Sequence, residues 1–443
     1  MENQRDYVLK TIEERGVRFI QLWFTDVLGT PKTFSIPPVE FENALDEGMT
    51  FDGSSIDGFS RVQESDVIAK PDPTTFQILP FKSGQNSPVA RVICDISNLD
   101  GTPFEGDPRH VLRRALERAH AQGFSFFAAP ELEYFYFANS EPPPRPLDSG
   151  SYFELTVADL ATDLRKKTVL TLEDMGIPVE YAQHEDSPSQ HEIDLRYTDA
   201  LTMADTIMTV RLVIKEVAQE HGVYASFMPK PLPGVQGSGM HTHVSLFSGE
   251  RNAFYDEAGD RGLSVIARQF IAGLLEHASE ITAITNQWVN SYKRLVSGYE
   301  APFAISWAYN NRSALVRVPI LKQGKTESSR VEYRSPDPAC NPYLAFAVIL
   351  AAGLRGIEKS YELAREADTN LFAATQDELN AARIRPLPRT LDQALAEMER
   401  SELVAETLGD HVFEWFLRNK RTEWDEYTRQ VTPFELARYL PSL

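Results

Sequence analysis

The sequence predicts an α+β chain, mixed and strand-rich over its first hundred or so residues and helical at its far end. Three observations carry that class. Val17 to Asp26 is an apolar, aromatic run followed by Asp26-Val27-Leu28-Gly29, the pattern of a turn into a partner strand at Lys32 to Ile36. Asp107-Pro108, then apolar Val111, Leu112, Ala115, Leu116 and Ala119, then Gly123, is a capped and terminated helix. Residues 344–365 and 390–443 keep an amphipathic helical spacing. Between these anchors, Phe124 to Ala129 and Glu131 to Phe137 are expected strands. Asp159 to Met175 (stopped by Gly176), Ala204 to Glu220 and Gly262 to Ile284 are expected helices. A small strand-rich unit followed by alternating strands and helices divides the chain into 1–105 and 106–443.

With 443 residues, 42% of them hydrophobic and 24% charged, the chain is long enough for two or three domains and is neither disordered nor collagen-like. Lys plus Arg number 44 against 64 Asp plus Glu, a net charge of −20. Such a surface repels phosphate backbones and anionic lipid, so neither nucleic acid nor a membrane is an expected partner. A local basic pocket for a small anion is still allowed. Cys94 and Cys340 are too few for a disulfide framework, so a reducing cytoplasm is expected. The longest apolar run, Tyr343 to Leu354, is well short of the ~20 residues that a bilayer needs. The first residues lack the basic-then-apolar pattern of a signal peptide.

Four short segments alternate charged and apolar residues. Glu131 and Glu133 flank Leu132, and Tyr134 and Tyr136 continue the apolar face; on a strand the two carboxylates point the same way, about 7 Å apart. Gln190, Glu192, Asp194 and Arg196 alternate in the same manner, as do His241, His243 and Ser245, and Arg330, Glu332 and Arg334. Each segment alone is the wet face of a half-buried strand. Together, Glu131, Glu133, Glu185, Glu192 and Glu332 with His241 form an oxygen-rich donor set suited to Mg²⁺ or Mn²⁺, because carboxylates crowd only where cations neutralise them. Arg294, Arg312, Arg317, Arg330 and Arg334 fall within one 41-residue stretch. Guanidiniums bind carboxylate and phosphate in bidentate fashion, so metals plus arginines imply phosphoryl transfer from a nucleotide to a carboxylate-bearing substrate. Asp52-Gly53-Ser54-Ser55 is a glycine-containing turn; a GxxxxGK[ST] loop is absent, and Gly237-Ser238-Gly239 lacks dinucleotide-fingerprint spacing.

These segments, in order, resemble one family. Phe51-Asp52-Gly53-Ser54-Ser55-Ile56, Pro130-Glu131-Leu132-Glu133, Phe227-Met228-Pro229-Lys230-Pro231 and Gly237-Ser238-Gly239-Met240-His241-Thr242-His243 are similar to blocks of type I glutamine synthetases. So are Asn290 to Leu295, Gly298-Tyr299-Glu300-Ala301-Pro302, Asn311-Arg312-Ser313-Ala314 and Asn341-Pro342-Tyr343-Leu344. The resemblance implies an N-terminal β-grasp domain and a larger catalytic domain with an antiparallel half-barrel sheet flanked by helices. It implies a homo-oligomer, a dodecamer of two hexameric rings with active sites between subunits. The substrates implied are glutamate, ammonium and ATP, with two divalent metals per site. One metal falls to Glu133, Glu185 and Glu192, the other to Glu131, His241 and Glu332. Glu180, the backbone near Leu195 to Tyr197, His243, Ser245, Arg317 and Arg330 match nucleotide positions. Gln236, Gly237, Arg294, Arg312 and Arg334 match the grip on glutamate and its phosphoryl group. Asp52 matches the group of a neighbouring subunit that deprotonates ammonium, in a pocket completed by Tyr152, Glu185, Ser55 and Glu300.

The sequence also departs from the family pattern. Gln236 stands where Asn is usual, Gln183-His184-Glu185 replaces His-His-Glu, and Ser189 replaces a common Gly. The seven-residue spacing from Glu185 to Glu192, and Phe372 in place of a modified Tyr, resemble the subgroup without adenylylation. Arg61, after Gly58, matches a feedback-inhibition position of that subgroup. Gln236 and the altered 183–189 loop leave open a γ-glutamylpolyamine or other γ-glutamylamide synthetase. A ring-forming or nitrogen-sensing relative without turnover is disfavoured because the metal-ligand positions, Asp52 and Glu300 are all present.

Overall fold

A computed structural model describes residues 2–57, 66–84, 87–155, 160–321, 324–367, 371–382 and 384–443; Gly58 and Arg61 lie outside them. The expected hairpin forms. Phe19–Thr25 pairs antiparallel with Pro31–Ile36, and the Asp26 carboxylate closes the turn by accepting from the Leu28 and Thr30 N–H groups at 3.0 and 2.8 Å. Gly29 adopts φ +81° there, and a Cβ would stand 2.9 Å from the Asn341 Cα, so glycine is required both by the turn and by the approach of the rest of the chain. Phe19–Thr25 runs parallel to Ser87–Ser97 on its other edge. Asp66–Pro71, Met49–Asp52 and Gln77–Gly84 complete this first sheet. A helix at Glu2–Glu14, not among the expected elements, buries Val8 and Ile12 with Ile20, Leu22, Phe41 and Val92.

The helix Pro108–Ala121 begins where its sequence places it. The Asp107 carboxylate accepts from the Arg109 N–H at 2.9 Å and from the Ile96 N–H at 3.0 Å, so the cap also stitches the two units together. Arg109 reinforces the joint by pairing with Asp72 and Asp95 on one side and Asp205 on the other. The larger hydrophobic core crosses it, taking Trp23, Val27 and Leu28 from the hairpin region.

Among the described residues the second sheet has ten strands. Along its main path lie Trp307–Tyr309, Val316–Val318, Val331–Tyr333, Thr242–Ser248, Ser125–Phe137, Gln190–Leu195 and Val179–His184; all neighbours are antiparallel except the first pair. Ser125–Phe137 is one continuous strand, not the two expected. Pro130 has no N–H to give, but it sits where the strand exchanges Thr242–Ser248 for Gln190–Leu195 as its main neighbour, a point at which a missing donor is tolerated. Pro108–Ala121 and Ala200–Glu220 pack against this strand, whose Leu132, Tyr134 and Tyr136 are buried.

Two helices differ from expectation. The run 262–284 is broken into Val265–Glu276, capped by Ser264, and Ala278–Thr285, joined at His277 with φ −95° and ψ 6°. Both pieces bury their apolar faces in the same core, so the hydrophobic pattern passes through the break unmarked. The helix expected to reach 365 spans Pro342–Glu358; Ser360 at φ +52° turns the chain left-handed and ends it. The C-terminal part is helical at Leu391–Glu399, Glu402–Thr428 and Pro433–Tyr439. Among the described residues no helix is long and apolar enough to cross a membrane.

Candidate active site

The open face of the second sheet carries the polar half of the alternating strands. Register sets Glu133 opposite Glu192, Glu192 opposite Gln183, and His243 opposite Glu332. Above this face lies an open cleft of about 650 Å³, lined by Glu131, Glu133, Glu185, Glu192 and His241 together with Arg294, Arg312, Arg317 and Arg334. Tyr152, Gln236, Gly237 and Glu300 line it as well.

Amides hold the first three carboxylates in place. Gln183 Nε2 donates at 2.9 Å to both Glu185 and Glu192. Gln190 Nε2 and the Gly239 N–H each donate at 2.9 Å to Glu133 Oε2. Imidazoles hold the next: His243 Nε2 lies 2.6 Å and His241 Nδ1 2.9 Å from the Glu131 oxygens. Glu332 is fully buried and receives Arg317 Nε and Arg334 Nη1. Glu131, His243 and Glu332 offer ligand atoms that all lie within 4.8 Å of one another. His243, which the resemblance places with the nucleotide, therefore stands as near this second group as His241 does.

Charge crowding shows in the protonation of the site. Burial, then the neighbouring Glu185, pushes Glu133 well above the usual carboxylate range. Burial, then Asp194, does the same to Glu192. Glu185 is pushed up to about 7 by burial, with Glu300 adding to it. Burial would raise Glu131 too, but His243 and His241 outweigh it and hold it well below that range. His241 is pushed down to about 4 by burial and then by Arg334. Carboxylate oxygens with imidazole and no thiolate are the donor set of a hard divalent cation, and carboxyl groups crowded at low dielectric are what such a cation relieves. The residues present fit Mg²⁺ or Mn²⁺.

Polar contacts tie part of the cleft lining together. Arg312 Nη2 donates to Tyr152 Oη at 3.3 Å, its guanidinium lies 5.5 Å from the centre of that ring, and it stands 3.8 Å from Glu300. The Glu300 N–H donates to Gln236 Oε1 at 2.7 Å. Arg294 is buried beneath, donating to the Ser335 carbonyl at 2.8 Å. A Cβ on Gly239 would stand 2.5 Å from Arg294 Nη2, so a side chain there would displace that guanidinium.

Other expected site residues lie beyond this lining. His243 and Ser245 continue along their strand, and Arg330 Nε donates to His243 Nδ1 at 3.2 Å. Tyr197 is exposed beside Phe127, and Glu180 is exposed on the outer strand. The Leu195 side chain is in the core, which leaves its backbone for contact. Asp52 ends the strand Met49–Asp52 in the N-terminal unit, accepting from the Ser54 N–H at 3.0 Å; it is not part of the lining formed by the described residues of its own chain. Tyr181, Gln183 and Asp186 were not expected in the lining. For Tyr181 and Gln183 the signal was their alternation along Val179–His184, continued just past it by Glu185; Asp186 had none.

Comparison with known proteins bears on the family and the fold. The family model for the glutamine synthetase β-grasp domain matches residues 16–99, and that for the glutamine synthetase catalytic domain matches 105–439. The chain is 56% identical to the glutamine synthetase of Mycolicibacterium smegmatis over 99% of this chain and 100% of that protein. It is 48% identical to the glutamine synthetase of Methanosarcina mazei over 99% and 98%. Among solved structures, a GmaS/ADP complex aligns with a TM-score of 0.87 at 32% identity, covering 98% of this chain and 99% of that one. The two-unit fold, the carboxylate-lined cleft and full-length similarity at this level lead to one conclusion: the chain belongs to the glutamine synthetase family.

Proposed function

We propose that the chain is a glutamate–ammonia ligase, forming glutamine while ATP becomes ADP and phosphate, through a γ-glutamyl phosphate intermediate. The observation that carries this reading is a single cleft in which the cation-type carboxylates face Arg294, Arg312 and Arg334, with Tyr152 and Glu300 in the same lining. Glu133, Glu185 and Glu192 are assigned to one divalent cation, Mg²⁺ or Mn²⁺, and Glu131, His241 and Glu332 to a second. Bound there, the cations would neutralise phosphate charge and polarise the transferred phosphoryl group. Glu180, the Leu195–Tyr197 backbone, His243, Ser245, Arg317 and Arg330 are assigned to ATP. Gln236, Gly237, Arg294 and Arg334 orient glutamate, and Arg312 faces the charge that grows on the γ-phosphoryl oxygens.

The second step needs a nitrogen lone pair, which ammonium lacks until a proton leaves. Asp52 is assigned to take that proton, with Tyr152, Glu185, Ser55 and Glu300 holding the cation before it does. The Glu300 segment, held to Gln236, shields the acyl phosphate from water, which would hydrolyse it. Because Asp52 is not among the described residues that line its own chain's cleft, a neighbouring copy is its proposed source, in a dodecamer of two hexameric rings. Twelve chains of 49.9 kDa would sediment as a particle of about 600 kDa. The proposed location is the cytoplasm, in keeping with two free, buried cysteines, and the proposed domain boundary is 105/106.

The test is an amine panel: ADP release with glutamate and ammonium, methylamine, ethanolamine, putrescine or spermine. Ammonium-dependent glutamine formation is expected. Strict preference for a larger amine overturns the reading.

A further inference from the structure

We propose that Ser189 and Asp148 are positioning residues for the amine pocket, clamping the loop that carries Tyr152 to the hairpin that carries Glu185; this deepens the ligase reading and rests on it. Ser189 sits at φ +57°, a conformation that favours glycine, and its hydroxyl is put to use there. Ser189 Oγ accepts from the Leu147 N–H at 2.5 Å and the Asp148 N–H at 3.0 Å. The Ser189 N–H donates to Asp148 Oδ1 at 2.8 Å, and the Gly150 N–H donates to the same oxygen at 3.0 Å.

His184 locks the other side. Its Nδ1 lies 2.6 Å from the Glu185 carbonyl and its Nε2 3.1 Å from Asp148 Oδ1. Its own carbonyl accepts from the Phe153 N–H at 3.1 Å. A Cβ on Gly150 would stand 2.6 Å from His184 Nε2, so the loop lies flush against the ring. Residues 147, 148 and 153 are thus tied to the hairpin through their backbone N–H groups, and the Gly150 N–H is held by Asp148 within the loop, with Tyr152 between Gly150 and Phe153. The Glu185 N–H is fixed in turn to the Gln190 carbonyl at 2.8 Å. Tyr152 and Glu185, two walls of the proposed ammonium pocket, therefore share one support.

Asp148, His184 and His191 bring ligand atoms within 4.8 Å of one another, and the hydrogen bonds around Asp148 tie the loop to the hairpin. Both nitrogens of His184 are engaged by oxygen atoms, those of the Glu185 carbonyl and the Asp148 carboxylate. His191 Nδ1 lies 2.6 Å from Arg165 Nη1, which can only donate; His191 Nε2 therefore bears the ring proton and points at Asp148 Oδ2, 3.9 Å away. Asp148 Oδ1 and His184 form the hydrogen-bonded joint, while Asp148 Oδ2 and His191 Nε2 face each other without a hydrogen bond.

Loosening that joint should widen the pocket and weaken its hold on the smallest amine. S189G removes the hydroxyl while relaxing the backbone, so the variant is expected to fold; S189A removes the hydroxyl alone. KM values for ammonium, glutamate and ATP, and the methylamine-to-ammonium rate ratio, are measured beside the wild type. Both variants should raise the ammonium KM about fivefold, the equivalent of ~1 kcal/mol, and raise the methylamine ratio, with the ATP and glutamate KM values unmoved. An unchanged ammonium KM and amine ratio, or an equal rise in all three KM values, overturns the proposal. A wild type without ammonium-dependent turnover overturns the ligase reading and this inference with it; an active wild type with unaltered variants overturns this inference alone.

Discussion

Stripping divalent cations from the protein should lower its thermal stability by an amount that the structure allows to be worked out. Glu131, Glu133, Glu185 and Glu192 share one cleft, and the folded chain gathers them whereas the unfolded chain does not. A cation that binds the folded state alone stabilises it by about 2.7 kcal/mol at one hundred times its Kd. Unfolding entropy near the midpoint is ~2.1 cal/mol/K per residue, which over this chain's length comes to about 0.9 kcal/mol per kelvin. One site is then equivalent to ~3 °C and two independent sites to ~6 °C. The assay is a thermal melt of EDTA-treated protein across a Mg²⁺ and then a Mn²⁺ titration. Glu192→Gln, which alters one carboxylate set, should keep about half the shift. A melt indifferent to both cations, or a full shift in Glu192→Gln, would refute the assignment of these side chains to cations.

Asp52→Ala should cut amide formation by roughly 100-fold or more while nucleotide affinity stays the same, since proton removal belongs to the second step; equal losses in both would remove its assigned role. Glu332→Gln takes the counter-charge from Arg334 and Arg317, contacts made by a fully buried carboxylate. Breaking such a pair costs about 3–5 kcal/mol, a drop of roughly 3–5 °C in the melt, and an unchanged Tm would contradict that pairing. Burial pushes the Cys340 thiol up to about 12 and Cys94 well above its usual value. Neither should react with a disulfide reagent at pH 8 in the native protein and both should after denaturation; one thiol reacting early would show that the core opens.

Much of the chemistry was legible because strand alternation is a local property. A pleat sends successive side chains to opposite faces, so Glu131 and Glu133 had to share a face whatever the rest of the chain did. Helix caps were legible for the same reason: Asp107 and Pro108 act on backbone groups within a few residues. The break at His277 was hidden, because two helices that bury their apolar sides in one core keep the spacing of a single helix. Two-strand readings of 125–137 failed at Pro130, where the change of neighbour, invisible in the local sequence, makes the missing donor harmless.

Residue order alone determined which side chains are acidic, basic or apolar and which way neighbours on a strand point. Tertiary pairing decided the partners: Gln183 spanning Glu185 and Glu192, His243 opposite Glu332, and Ser189 holding a loop some forty residues earlier in the chain. It also left Asp52 out of the lining that the described residues of its own chain form. The reason is physical. Backbone geometry repeats over two to four residues and leaves its mark on any short window of sequence, whereas strand order and register minimise the free energy of the whole chain, and no short window records that minimum.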